Sequence, residues 1–228
     1  MRIIFVRHGH PNYQLDCLTP LGQKQAEAVA KRLHEEKIDV VCASTKGRAM
    51  ETAAYIAEDH GLEVNGFDFM REISWGSVDD ESIFENGHPW RTVNDMIAKG
   101  KSLLSPNWAQ EEFFCRNKVV QYVQDVGDGL DAWLKTFGYE REGEFFRVNT
   151  EKNQTVVMAS HGGSSSAALS RLFSLPFPYV VHTINPTYTA ITIVELSGAA
   201  GTLAAPRFEL MNDARHIQGI EADLVFEQ

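Results

Sequence analysis

Two segments of this chain put a histidine, followed at once by glycine, at the end of an apolar run. Met1-Arg2-Ile3-Ile4-Phe5-Val6 leads into Arg7-His8-Gly9, and Thr155-Val156-Val157-Met158-Ala159-Ser160 leads into His161-Gly162-Gly163. Runs this short, and apolar almost throughout, read as buried strands. In open α/β sheets the carboxyl ends of such strands form the rim where ligands bind. Both histidines therefore fall on that rim. Gly9 and Gly162 allow main-chain N–H groups to approach a ligand closely. Arg7 beside His8 points to an anion.

The flanking sequence supports the same layered fold. Thr19 is placed to cap a helix with Pro20 at its first position, and Leu21, Ala26, Val29, Ala30 and Leu33 share one helical face. Ile38 to Ala43 reads as a second strand. Ser44 to Lys46 is expected to cap the next helix, which Gly61 ends. Strand, helix, strand, helix is the opening of an α/β domain. The expected architecture is a three-layer α/β/α domain over residues 1–228 with a mainly parallel central sheet. Residues 79–153, rich in Trp and Phe and without a clear strand, read as a helical insertion forming a lid over the C-terminal rim. After it come the strand at Thr155, a helix from about Gly163 to Phe173, and a turn at Pro176 and Pro178. Ala190 to Leu196 then reads as a strand, with Pro206 to Met211 as its hairpin partner.

Charge and cysteine usage narrow the function. The net charge is −10 and no run of Lys or Arg exceeds a pair, which argues against nucleic acid or an anionic membrane surface as partner. Cys17, Cys42 and Cys115 are odd in number and widely spaced. They read as reduced thiols of a cytoplasmic protein, not as a disulfide framework or a zinc site. No basic leader precedes the first strand, and no apolar stretch reaches the ~18 residues of a membrane span. Against this negative background the local arginines stand out. Arg48 opens a helix directly after a strand, in Ala43-Ser44-Thr45-Lys46-Gly47-Arg48-Ala49, which puts a second guanidinium on the rim. Arg7, Arg48, His8 and His161 around one point suit a phosphoryl group, whose oxygens accept planar bidentate hydrogen bonds from arginine.

At these residues the chain resembles the histidine phosphatase superfamily, which includes the cofactor-dependent phosphoglycerate mutases. Arg7-His8-Gly9 resembles its signature. Leu18-Thr19-Pro20-Leu21-Gly22 with Gln25-Ala26 resembles its L-T-x-x-G-x-x-Q-A helix start, and Ser44 to Ala53 its S-x-x-x-R-A-x-x-T-A helix. Arg71-Glu72-Ile73 with Trp75-Gly76 resembles its acid segment, and Ser160-His161-Gly162-Gly163 its second histidine segment. The resemblance implies that His8 attacks phosphorus through a neutral ring nitrogen, its other nitrogen bonded to a backbone carbonyl such as that of Gly9. Arg7, Arg48, a protonated His161 and the N–H groups of Gly9 and Gly162 would hold the phosphoryl oxygens. Glu72 would be general acid and then base, its pKa raised by Trp75 and the lid.

The chain departs from that pattern in two places. Pro11 and Gln14 stand where the family often has threonine and asparagine, so Asn12 or Gln14 would supply the amide contact. The insertion lacks a G-E-S-type segment; Glu111-Glu112-Phe113-Phe114 is the nearest text. The resemblance implies a phosphatase acting on a small-molecule phosphate ester without metal or cofactor. The alternatives are mutase-type phosphoryl transfer and a non-catalytic phospho-ligand-binding module. A metallohydrolase fits less well, because the histidines lack ligand spacing. An apolar lid or edge strand leaves a homodimer open, and Gly219 to Gln228 is placed to close over the site.

Overall fold

The two histidine-bearing strands lie side by side. Arg2–Arg7 pairs in parallel with Thr155–Ser160, from Arg2 opposite Thr155 to Arg7 opposite Ser160. His8 and His161 therefore leave the sheet at the same level. The computed structural model describes residues 1–220. Along the chain run β1 (Arg2–Arg7), α1 (Pro20–Leu33), β2 (Val40–Ser44), α2 (Gly47–His60), β3 (Val64–Phe67), α3 (Pro89–Ala98) and α4 (Val119–Thr136). Then follow β4 (Tyr139–Glu142), β5 (Phe145–Val148), β6 (Thr155–Ser160), α5 (Gly162–Phe173), α6 (Phe177–Thr183), β7 (Ile191–Glu195), β8 (Leu203–Ala204) and β9 (Arg207–Asp213).

The central sheet has the order β9-β7-β1-β6-β2-β3. Strands β1, β6, β2 and β3 are parallel, and on the other side of β1 the strand β7 pairs antiparallel with both β1 and β9. Side chains alternate across it, as the period of two requires. Ile4, Val6, Val41, Ala43, Val157 and Ala159 meet Val29 and Leu33 of α1 and Ala53 and Ile56 of α2. Ile3, Phe5, Cys42, Val156 and Met158 meet Leu130, Trp133 and Leu134 of α4 and Leu169 and Leu172 of α5. Both faces are covered, which makes the three layers. Each fully buried aliphatic or aromatic side chain contributes roughly 1.5–3 kcal/mol.

The ends of α1 follow the sequence: the Thr19 hydroxyl accepts from Gly22 N, and Pro20 is the first helical residue. The start of α2 does not. Lys46 precedes the helix and offers no side-chain cap; the carboxylate of Asp16, from a distant loop, accepts from Gly47 N instead.

Three further differences concern the second half and the sheet edge. Residues 79–153 are not helical throughout, because β4 and β5 form a hairpin that β8 extends. Its strands are four residues each, and three of the four in β4 are charged. Their alternation is therefore visible only in the buried Tyr139, Phe146 and Val148. Within the same segment α4 packs on α5 and on the sheet face, as a layer helix. The stretch with Pro176 and Pro178 is the first turn of α6, where proline costs no internal hydrogen bond. The short edge strand β3, Val-Asn-Gly-Phe, has no sequence pattern that announces it. Of the tail from Gly219 to Gln228, residues 221–228 lie outside the described residues. Among the described residues no helix is long and apolar enough to cross a membrane.

Candidate active site

The site forms where β1, β6 and β2 end. His8 N donates to Ser160 O (2.8 Å), tying the first residue past β1 to the last of β6. Gly9 N then donates to Thr52 Oγ1 of α2 (3.1 Å). Glycine is required at this point, since a Cβ on Gly9 would sit 2.5 Å from Gly22 O. The chain thus turns tightly under the start of α1 and leaves the His8 ring fixed and 1% exposed.

Its two nitrogens are distinguished by their partners. Nδ1 lies 2.7 Å from Gly9 O, and Arg48 Nε lies 3.2 Å from Nε2. A carbonyl only accepts and a guanidinium only donates, so Nδ1 carries the proton and Nε2 the lone pair. Burial, then the charge of Arg7, holds the His8 imidazole well below its ordinary pKa, so the ring is neutral near pH 7.

His161 caps α5 and is fully buried. Its ring centroid is 5.1 Å from that of His8, edge to face, and its Nε2 is 2.8 Å from the hydroxyl of Ser44 at the end of β2. Burial, then the nearby His8 and the two arginines, pushes its pKa well below the ordinary value. That shift favours the neutral ring, against the protonated His161 that the sequence suggests.

Both guanidiniums are held on fixed elements. Arg48, buried in the first turn of α2, donates through Nη1 to Asp16 Oδ1 (2.5 Å). Arg7 donates through Nη1 to Pro186 O (2.7 Å) and lies 4.4 Å over the Tyr188 ring.

Glu72 is joined to the same cluster by helix α5. Its Oε1 accepts from Ile73 N (3.0 Å) and from Ser164 N (3.1 Å), one of the unpaired N–H groups of the α5 amino terminus. The fit leaves no room for a side chain at Gly163, whose Cβ would sit 2.7 Å from Glu72 Oε1. Burial raises the Glu72 pKa, although Arg7 and the two N–H bonds work against it. The aromatic cover nearby is a row of Trp75, His88 and Trp90, packed edge to face and then tilted, with centroid spacings of 4.9 and 5.5 Å. Trp90 borders Gly162, the first residue of α5: a Cβ there would be 3.6 Å from the indole and 3.7 Å from the Arg7 guanidinium carbon.

The structure therefore brings Arg7, His8, Gly9, Arg48, Glu72, His161 and Gly162 together. It does not join Asn12 or Gln14 to them by any hydrogen bond. The Asn12 oxygen accepts from Gln14 N and Leu15 N (both 3.1 Å), closing its own turn, and Gln14 is exposed. The same loop contributes Asp16 instead. Asp16, Ser44 and Tyr188 are the site residues that sequence reasoning did not find. Ser44 read only as a cap, Tyr188 sits in an unpatterned turn, and Asp16 carries no motif of its own. His10 and His216 make local hydrogen bonds, to Thr19 and Thr189. Among the described residues no group of three or more His, Cys, Asp or Glu is arranged to hold a metal ion.

Residues 3–114 match the family model of the histidine phosphatase superfamily (branch 1). The chain is 25% identical over 213 residues to the "Putative phosphoserine phosphatase 2" of Hydrogenobacter thermophilus, covering 89% of this chain and 93% of that one. It is 30% identical over 121 residues to the "Probable phosphoglycerate mutase GpmB" of Yersinia enterocolitica, covering 45% of this chain and 56% of that one. The fold is shared with Entamoeba histolytica phosphoserine phosphatase, solved in complex with 3-phosphoglyceric acid, at 22% identity. Its TM-score is 0.60, with 95% of this chain and 98% of that one covered. Over its first half the chain thus matches the histidine phosphatase superfamily.

Proposed function

We propose that this protein is a metal-independent phosphomonoester hydrolase working through a phosphohistidine on His8. The observation that carries the reading is the tautomer. With Nδ1–H spent on Gly9 O, the Nε2 lone pair faces Arg48, in a cluster whose fixed positive charge comes from arginine. In the first step Nε2 attacks phosphorus, the bond to the ester oxygen breaks, and protonated Glu72 gives its proton to the departing alcohol. In the second step ionised Glu72 takes a proton from water, the water oxygen bonds to phosphorus, and the phosphorus–nitrogen bond breaks to release phosphate. Arg7, Arg48, the Gly162 N–H group and His161 hold the equatorial oxygens, where charge accumulates, whereas the Gly9 N–H expected from the sequence to join them is spent on Thr52 Oγ1. His161 enters neutral, and a phosphate dianion beside it draws its pKa upward, so it takes up a proton as the ester binds.

The substrate class is a small-molecule phosphate ester. The name of the Hydrogenobacter relative, which aligns over most of both chains, makes phosphoserine the first ester to assay. Mutase-type transfer of the phosphoryl group to a second hydroxyl is the alternative, favoured by the name of the Yersinia relative. The three cysteines are free thiols, which suits a cytoplasmic setting.

The test is release of phosphate from nitrophenyl phosphate and from phosphoserine in excess EDTA near pH 6. Wild type is expected to turn over and His8→Ala to lose about 10⁴-fold or more while keeping its fold. Activity that chelator abolishes, or that His8→Ala retains, would contradict the reading.

A further inference from the structure

Arginine presents five N–H groups in one rigid plane, so fixing one edge of the guanidinium aims the other. In Arg48 the two edges have different partners. Nη1 donates to Asp16 Oδ1 at 2.5 Å, while Nε, on the opposite side of the fork, donates to His8 Nε2 at 3.2 Å. The Nε/Nη2 edge is thereby directed at the atom that takes the phosphoryl group. The Arg48 side chain is 8% exposed, so the pair with Asp16 is poorly screened on its inner side.

Asp16 is itself held in place. Its second oxygen accepts from Gly47 N (3.0 Å), the first N–H of the helix that carries Arg48. Its backbone lies in the left-handed region, at φ 50°, which a short polar side chain tolerates. Its carbonyl oxygen occupies the place of a Cβ on residue 47, at 2.0 Å, which is why residue 47 is glycine. One carboxylate thus grips both the helix and the guanidinium that the helix presents.

We propose that Asp16 is the positioning residue of the site: it sets the angle at which Arg48 meets the phosphoryl group, without touching substrate itself. The inference rests on the phosphatase reading above. It differs from a simple helix-capping role in one respect. A cap acts on stability whatever residue stands at position 48, whereas a positioning contact acts only through an arginine fork.

The experiment is a double-mutant cycle on kcat/KM for nitrophenyl phosphate, with Asp16→Asn and Arg48→Lys, alongside thermal unfolding of each variant. Asparagine keeps an acceptor for Gly47 N but loses the charge pair. Asp16→Asn is expected to lower kcat/KM about 10- to 100-fold, the scale of a charge-assisted hydrogen bond, and to weaken competitive inhibition by inorganic phosphate. In the Arg48→Lys background the same substitution is expected to change kcat/KM less than about twofold. Equal losses in both backgrounds, or an Asp16→Asn enzyme as active as wild type, would overturn the inference and leave the phosphatase reading standing. Should Asp16→Asn unfold, Asp16→Glu takes its place, since it keeps the charge and moves it by one methylene. Loss confined to the Arg48 background is again the expected result. A wild-type chain that neither hydrolyses the ester nor binds phosphate overturns both.

Discussion

At the scale of single residues, the chemistry depends on which groups carry a proton before the first step. Burial raises the Glu72 pKa and lowers that of His8, which shifts each toward the state the proposed first step needs: a protonated acid and a neutral nucleophile. The sign of the pH dependence follows. In the proposed mechanism the acid limb of kcat/KM belongs to His8, which would be inactive once protonated, and its lowered pKa puts that limb below the ordinary imidazole range. The basic limb belongs to Glu72, and activity falls as pH rises through its raised pKa and the acid loses its proton. Glu72→Gln is therefore expected to erase the basic limb. In kcat/KM, which reports the first step alone, it should also cost alkyl phosphates about 10²- to 10⁴-fold and nitrophenyl phosphate, whose leaving group needs little protonation, much less. pH profiles on the two esters check this, and equal losses on both would assign the acid to another residue.

At the scale of elements, the amino terminus of α5 has two tasks: it presents His161 and Gly162 to the site, and its Ser164 N–H holds Glu72. Gly163 lets the acid segment come this close, since its Cβ would meet Ile73 Cγ1 at 2.4 Å. Gly163→Ala is expected to destabilise the protein by about 1–3 kcal/mol through overpacking. It should lower kcat by about 10²-fold as Glu72 is displaced. Denaturant titration and steady-state kinetics measure the two effects, and a variant with full kcat would contradict the placement of Glu72. This pairing also shows what was legible beforehand. Arg7, His8, Arg48 and His161 each stand at a strand–helix boundary whose apolar run, cap or glycine is visible locally. Glu72 became a candidate only through the family resemblance. Asp16 stayed hidden because its partner Arg48 lies 32 residues on, and no local pattern reports a contact between side chains so far apart in sequence. The hairpin at β4 and β5 was missed for a different reason: strands of four residues with charged faces leave too short an alternation to recognise.

At the scale of the whole molecule, the site depends on both helical layers. α2, on one face of the sheet, carries Arg48; α5, on the other, carries His161 and holds Glu72. The sequence suggests that residues 79–153 form a lid, but in the structure α4, within that segment, buries Leu130, Trp133 and Leu134 against the sheet. Trp133→Ala is accordingly expected to cost about 3–5 kcal/mol of global stability. A loss confined to KM, with unfolding unchanged, would return α4 to the role of a lid. The proposed mechanism turns on the phosphohistidine. Its most direct test is to mix Glu72→Gln with a ³²P-labelled aryl phosphate, quench in alkali and map the labelled peptide. In this variant attack on an activated ester proceeds while hydrolysis of the intermediate is slowed, so the phosphoenzyme should accumulate. The expected result is an acid-labile, alkali-stable label on the peptide containing His8, absent when His8 is also replaced by Ala. Label on the peptide containing His161, or label that survives loss of His8, would contradict the central claim.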